Sequence, residues 1–323
     1  MARKVVNYAK WTADQWQQYR QNMRGLGGSD IAAALGINKY KSRRRLWAEL
    51  TGAIQREDIS DKPAVKMGNM LEPIVADLFA EATGYTVRRN NWILQHDHID
   101  YLYANLDREV ILPDGSRAVL ECKTANTNMK KLWQSDSVPR EYMAQVQFYL
   151  MITGYEKAFM AVLIGGVDFD YWIIERNESI IKDLEEQAAA FWHCVENGIE
   201  PATDGSEDAA KLLLQSYSTG DKDLIIDLEP TEAEKFEIRE ILQAQKKEIE
   251  MQINEIDNYF KDQIGKAGAK AAQLGDYRVS WNFTERKKVD EKAIAKAYPD
   301  FWDRWQQIRS DFTTIEKGRS IRY

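Results

Sequence analysis

Glu121 and Lys123 stand two residues apart in the stretch Ala118-Val-Leu-Glu121-Cys-Lys123-Thr-Ala125, and Asp107 lies a short distance upstream. Two carboxylates and an ammonium brought together form a set that either pairs internally or binds a metal. The stretch reads as a short β-strand, because Val119 and Leu120 are apolar and Thr124 suits a pleated surface. On a strand, alternate side chains leave the same face, so Glu121 and Lys123 emerge together. Asp107 belongs to a second apolar strand, residues 101–112, which the turn Pro113-Asp114-Gly115 joins to the first. Such a hairpin places Asp107 beside Glu121. Charge crowded at the end of a sheet is costly unless it is paired or bound to a metal.

Glu-x-Lys on a strand also occurs as a same-face ion pair worth well under ~1 kcal/mol. The chain contains a similar order of residues in Asp276 followed by Glu285-Arg286-Lys287. That stretch is polar and rich in Lys and Arg, with no apolar strand around its glutamate. Context separates the two.

Other residues must be brought to this point. Residues 12–23 read as a helix with Thr12 as its N-cap. The glycine-rich turn Arg24-Gly-Leu-Gly-Gly-Ser29-Asp30 then opens a second helix at Ile31. Its N–H groups, Ser29 and Arg24 suit a phosphate cradle; the same pattern serves a helix start capped by Ser29 or Asp30. The run Lys41-Ser-Arg43-Arg44-Arg45 reads either as a solvated face or as a clamp on a nucleic-acid backbone. Leu46, Trp47 and Leu50 close that helix onto a core. A helix over 64–83 carries Glu72 beside Leu71, Ile74, Val75, Leu78 and Phe79. Residues 85–94 read as a strand, with His96 and His98 in the loop after it. A helix over 139–153 puts Tyr142, Gln145 and Tyr149 on one face. Strands over 157–164 and 169–175 and a helix over 177–197 complete an α/β unit.

The composition fits a globular protein of two domains: 323 residues, 44% hydrophobic, with 10 Trp and 15 Tyr for cores. Cys122 and Cys194 are too few for a disulfide framework, and no apolar run reaches membrane-spanning length. The expectation is a soluble, cytoplasmic protein without membrane association. The net charge of −7 is unevenly spread. Residues 1–60 hold 11 Lys/Arg against 5 Asp/Glu, and residues 221–264 hold 13 Asp/Glu against 6 Lys/Arg. A basic front end permits phosphate contacts despite the overall sign. From about residue 205 the composition changes. A long helix starts near Thr231, whose Thr-x-x-Glu pattern with Glu234 is a capping box, and runs to about residue 264. Its stripe of Ile238, Leu242, Ile249, Ile256 and Phe260, broken by Gln245 and Gln252, packs on its own protein or on another chain. A hairpin over 277–283, a Trp-rich helix over 290–308 and a basic end follow.

Taken together, four stretches resemble a known family. They are Arg24-Gly-Leu-Gly-Gly-Ser-Asp-Ile-Ala-Ala-Ala-Leu-Gly, Met67-Gly-Asn-Met-Leu-Glu72, Ala104-Asn-Leu-Asp107 with Leu120-Glu-Cys-Lys123, and Tyr142-Met-Ala-Gln145-Val-Gln-Phe-Tyr149. In this order they resemble the YqaJ-type viral recombinases, a branch of the PD-(D/E)xK nucleases related to lambda exonuclease. The chain departs from lambda exonuclease at Asn105, where that branch has a hydroxyl residue two before the aspartate.

The resemblance implies an α/β, mixed-sheet nuclease domain over 1–204 and a mainly helical region over 205–323 for oligomerisation or partner docking. It implies Mg²⁺, with Mn²⁺ as the alternative ion, bound as a pair by Glu72, Asp107, Glu121 and the Cys122 carbonyl. Lys123 would orient or deprotonate the attacking water, its pKa lowered by neighbouring cations, and Gln145 would position it. Arg24, Ser29, Arg43, Arg44, Arg45 and Tyr149 would hold the DNA and its terminal 5′-phosphate. The implied reaction degrades one strand of linear duplex DNA from its 5′ end, leaving a 3′ overhang for a RecT-like single-strand annealing protein. A homo-oligomeric ring, such as a trimer, is implied too. An endonuclease with the same core and a non-catalytic DNA-binding scaffold are the alternatives.

Overall fold

The computed structural model describes residues 2–133, 138–217, 224–282, 284–285 and 289–313. The chain divides into two compact units after residue 218. In the first, β1 (Arg3–Asn7), α1 (Ala13–Asn22), β2 (Leu26–Gly27), α2 (Gly28–Ala34), α3 (Arg43–Thr51) and α4 (Pro63–Thr83) come before most of the sheet. Then follow β3 (Thr86–Arg88), β4 (Trp92–Gln95), β5 (Leu102–Ala104), β6 (Arg108–Ile111) and β7 (Arg117–Ala125). The unit closes with α5 (Lys130–Trp133), α6 (Arg140–Thr153), β8 (Lys157–Ile164), β9 (Asp168–Glu175), α7 (Glu178–Glu196) and α8 (Glu207–Ser216).

The central sheet has the order β3-β6-β7-β8-β9, antiparallel except for the parallel pair β7–β8. Strand alternation sorts its side chains into two cores. Ala118, Leu120, Cys122, Phe159, Ala161 and Leu163 pack with Val75, Ala76 and Phe79 of α4. Val119, Ala158, Met160, Val162 and Ile164 pack with the second core, which includes Ala144, Val146 and Phe148 of α6. A strand covered on both faces is apolar along its length, and β8 is buried from Ala158 to Ile164. A smaller sheet, β1-β4-β5-β2, lies outside this layer order.

Two strands expected from the sequence are each divided between the two sheets. Residues 85–94 break at Asn90, whose side chain accepts from Trp92 N–H at 3.0 Å; β3 joins the central sheet and β4 the smaller one. Residues 101–112 break at Asn105-Leu106-Asp107 into β5 and β6. The turn to β7 forms as expected: Gly115 has φ +83°, a conformation that costs glycine little, and its N–H donates to Leu112 at 2.9 Å. Thr12 caps α1 in a full capping box with Gln15. Neither Ser29 nor Asp30 caps α2, which starts three residues earlier than expected, at Gly28, without a side-chain cap.

The first unit runs past the expected boundary at 204/205. Asp208 of α8 accepts from Ser42 N–H at 2.8 Å and from Arg45 Nε at 2.5 Å, which fastens α8 to α3. In the second unit, α9 (Ala233–Lys266) follows a short 3₁₀ turn over Pro230–Glu232. That turn absorbs Thr231, so the expected capping box does not form and α9 starts without a side-chain cap. A hairpin of β10 (Ala271–Leu274) and β11 (Tyr277–Ser280) lies earlier than expected; Phe283 is outside the described residues. The Trp-rich helix is two, α10 (Glu291–Ala297) and α11 (Pro299–Asp311), because Pro299 starts a new helix and keeps Tyr298 out of the helical conformation. The basic end, 319–323, is outside the described residues. Among the described residues no helix is long and apolar enough to cross a membrane.

Candidate active site

The register of β6 and β7 pairs Arg108 with Leu120, and one step further along brings Asp107 to Glu121. Asp107 Oδ2 accepts the Cys122 N–H at 2.9 Å, so the aspartate is tied to the backbone between Glu121 and Lys123. Glu121 and Lys123 share the face of β7 that carries Val119, and α6 covers that face. Lys123 Nζ donates to Glu121 Oε1 at 2.5 Å and to Gln145 Oε1 at 3.2 Å. Gln145 Nε2 donates to Glu121 Oε1 at 2.7 Å and to the Tyr149 hydroxyl at 3.0 Å. The Lys123 ammonium also lies over the Tyr142 ring, 5.1 Å from its centroid. The helical spacing of Tyr142, Gln145 and Tyr149 thus brings all three to one site.

These groups disturb one another's protonation. Burial and the neighbouring Glu121 push the Asp107 carboxyl well up, with Lys123 and the Cys122 N–H opposing. Burial alone would lower the Lys123 ammonium, but Glu121 and Asp107 outweigh it and hold it above its ordinary value. The nearest charges to the ammonium among these side chains are carboxylates. Burial followed by the same two carboxylates raises Tyr149 well above its usual range.

All of these groups except Tyr142 open on a cavity of about 720 Å³. Ser29 lines it, as do Arg20, Arg56, Arg89 and Arg108, which the sequence reading did not single out. Arg24 is exposed and does not line it. Asn105, which stands where lambda exonuclease has a hydroxyl residue, accepts the Tyr8 hydroxyl proton at 2.6 Å. Burial, then Asp107 and Glu72, pushes that phenol up to about 12.

Three arginines are engaged elsewhere. Arg44 pairs with Glu200, Arg45 with Asp208 and Gln215, and Arg43 lies over the Phe191 ring at 5.4 Å. None lines the cavity; they bind α3 to its own fold. His96 accepts N–H groups of His98 and Ile99 and closes its own loop.

The donor set fits a hard cation in part. Glu121 Oε2 is buried without a hydrogen-bond partner, an arrangement that is costly unless something positive meets it. Asp107 and the Cys122 carbonyl are further oxygen donors at the same strand end. Glu72 is not free to join them in this arrangement, since its carboxylate is bound by Arg108 Nη1.

A mixed sheet with an aspartate before one strand, Glu-x-Lys on the next, and helices on both faces defines a PD-(D/E)xK restriction-endonuclease-like core. Residues 15–156 match the YqaJ-like viral recombinase domain. The chain is 32% identical to the uncharacterized protein YqaJ of Bacillus subtilis (strain 168), over 93% of this chain and 92% of that one. It belongs to the YqaJ-like viral recombinase family. Among solved structures, an alkaline exonuclease (LHK-Exo) from Laribacter hongkongensis is 22% identical, with a TM-score of 0.49 over 57% of this chain and 94% of that one. A phage related exonuclease from Haemophilus somnus 129PT is 13% identical, with a TM-score of 0.39 over 56% and 98%.

Proposed function

We propose that the protein is a divalent-metal-dependent deoxyribonuclease that degrades one strand of linear duplex DNA from its 5′ end. The observation that carries this reading is the buried, unpartnered Glu121 Oε2 beside Asp107 and Lys123, at the wall of a cavity that four arginines also line. Asp107, Glu121 and the Cys122 carbonyl would hold Mg²⁺, or Mn²⁺ in its place, through hard oxygen donors. When bound, the ion supplies a Lewis acid that activates water and stabilises charge on the phosphate oxygens.

The chain's own residues do the rest. Lys123 orients the attacking water with its ammonium protons, and Gln145 fixes both Lys123 and Glu121. The cavity arginines attract and seat the DNA backbone, while Ser29 contacts the terminal phosphate at the foot of the glycine-rich turn. Tyr149 holds Gln145 from below. The product would be a 3′ single-stranded overhang, taken up by a RecT-like single-strand annealing protein. The 219–323 unit would serve self-association, with a ring around the DNA as the expected assembly, or docking of that partner.

The test compares wild type with Lys123→Ala on end-labelled linear duplex and on a closed circle, with Mg²⁺ or with chelator. Metal-dependent release of 5′-end label, with the circle intact, supports the proposal; a group acting on the water contributes about 10²–10⁴-fold. Cutting of the circle would move the assignment to an endonuclease on the same core.

A further inference from the structure

Arg108 is a buried cation for which the mechanism above gives only a general part. Its side chain is 8% exposed, against 27% for Glu72. Nη1 donates to the Glu72 carboxylate and, at 2.6 Å, to the Asp107 carbonyl. Strand alternation explains the pairing. Arg108 shares with Val110 the face of β6 that packs against α4, the helix that carries Glu72. Glu121 and Lys123 leave the other face. Glu72 and the Asp107–Glu121 pair thus approach the cavity from opposite sides of the sheet, with Arg108 on the Glu72 side. Among the described residues, no three Asp, Glu, His or Cys side chains converge as a metal cluster.

We propose that Arg108 takes the place of a second metal ion: the site binds one divalent cation, on Asp107 and Glu121, and the guanidinium supplies the other positive charge. This rests on the nuclease reading above and narrows it from a pair of ions to one. Glu72 is then a positioning residue that holds the guanidinium rather than a ligand.

Arg108 already neutralises Glu72 on its side of the sheet, so a second divalent ion there would have to displace a buried, paired guanidinium. Both hydrogen bonds of Arg108 use Nη1, which leaves the N–H groups of Nε and Nη2 for phosphate oxygens. A planar guanidinium suits that contact.

The experiment counts Mn²⁺ per chain by isothermal titration calorimetry on the full-length protein. It is run with and without a short linear duplex whose linkages near the ends are phosphorothioates. Wild type is expected to bind one Mn²⁺ in both cases. Glu121→Gln should abolish the site, whereas Glu72→Gln should leave one ion bound within about threefold of wild-type affinity, less than the roughly 10–100-fold cost of losing a true ligand support. In Arg108→Met the freed Glu72 should admit a second Mn²⁺, and adding Glu72→Gln should return the count to one. If Arg108→Met fails to fold by circular dichroism, the Glu72→Gln titration decides. Two ions per wild-type chain, or loss of the ion in Glu72→Gln, overturns the one-ion proposal and leaves the nuclease reading standing. No Mn²⁺ on wild type overturns the nuclease reading, and the proposal with it.

Discussion

Gly28 lies directly against Tyr149: a Cβ at residue 28 would stand 2.2 Å from the Tyr149 ring. The glycine-rich turn therefore has a packing task besides any phosphate contact. It lets α2 approach α6 closely enough for the Tyr149 hydroxyl to reach Gln145. Gly28→Ala must push the ring aside, at the roughly 1–3 kcal/mol typical of overpacked cores. The expected outcome is a lower Tm together with a loss of nuclease activity. Tyr149→Phe, which keeps the ring and removes the hydroxyl, should lose activity with a smaller change in Tm. Thermal melts beside a linear-duplex assay separate the two effects.

Gln145, on the helix over their face of the sheet, bonds to both Glu121 and Lys123, so its loss should loosen them without removing either charge. Gln145→Leu is expected to lower kcat by about 10–100-fold, as supports of metal-site residues do. The KM for linear duplex should stay near wild type, because the cavity arginines are untouched. A KM that rises while kcat holds would mean that Gln145 contacts DNA instead.

Asp208 tests whether the Arg43–Arg45 run is structural. Burial alone would raise its carboxyl, but Ser42 N–H, Ser42 Oγ and Arg45 outweigh it and hold the group below the usual range. A depressed folded-state pKa stabilises the fold fully above the unfolded value near ~3.9, and that contribution is lost as pH falls through the folded value. Asp208→Asn should cost about 1.5–3 kcal/mol at neutral pH, the range for hydrogen bonds to charged groups. Urea melts should show the gap to wild type closing below about pH 4. Arg45→Gln should destabilise likewise and leave DNA affinity unchanged. A fall in affinity with unchanged stability would restore the DNA-clamp reading.

How much of this was legible depended on where the information lay. β8 and α6 could be read because burial makes their apolar pattern continuous or helical over many residues. Asp107 and Glu121 could be brought together because a turn with its glycine fixes a local hairpin. β1 was missed because Arg3-Lys-Val-Val-Asn7 is mostly exposed and carries little apolar alternation. β2 has two residues, too few for any period. The partners of Arg44 and Arg45 lie more than 150 residues away, so a local charge run could not reveal them. Arg108 did leave a signal. It follows Asp107 directly, and the two-residue period of a strand sends it to the opposite face, toward the helix of Glu72.

The long helix of the second unit presents the remaining question, because its apolar residues are largely uncovered. Ile238, Leu242, Ile249, Ile256 and Phe260 are all exposed, and Ile264 is the buried residue of α9. Leu242, Ile249 and Ile256 recur every seven residues, as do Gln245 and Gln252, which is the spacing that seats one helix along another. A helix of 34 residues, about 51 Å long, with such a stripe gains stability by burying it, and a second copy of the chain offers the same stripe. Light scattering behind size exclusion should therefore give a mass that is a multiple of 37.4 kDa. Ile249→Asp with Ile256→Asp should shift it toward the monomer, since each buried carboxylate would meet an apolar partner. The double variant should keep its Mn²⁺ site, because both residues lie in the other unit from Asp107 and Glu121. An unchanged oligomer would locate the self-association elsewhere and leave α9 as the surface for a different protein. In that event the two glutamines, rather than the isoleucines, become the residues to vary, because polar groups inside an apolar seam select which partner is accepted.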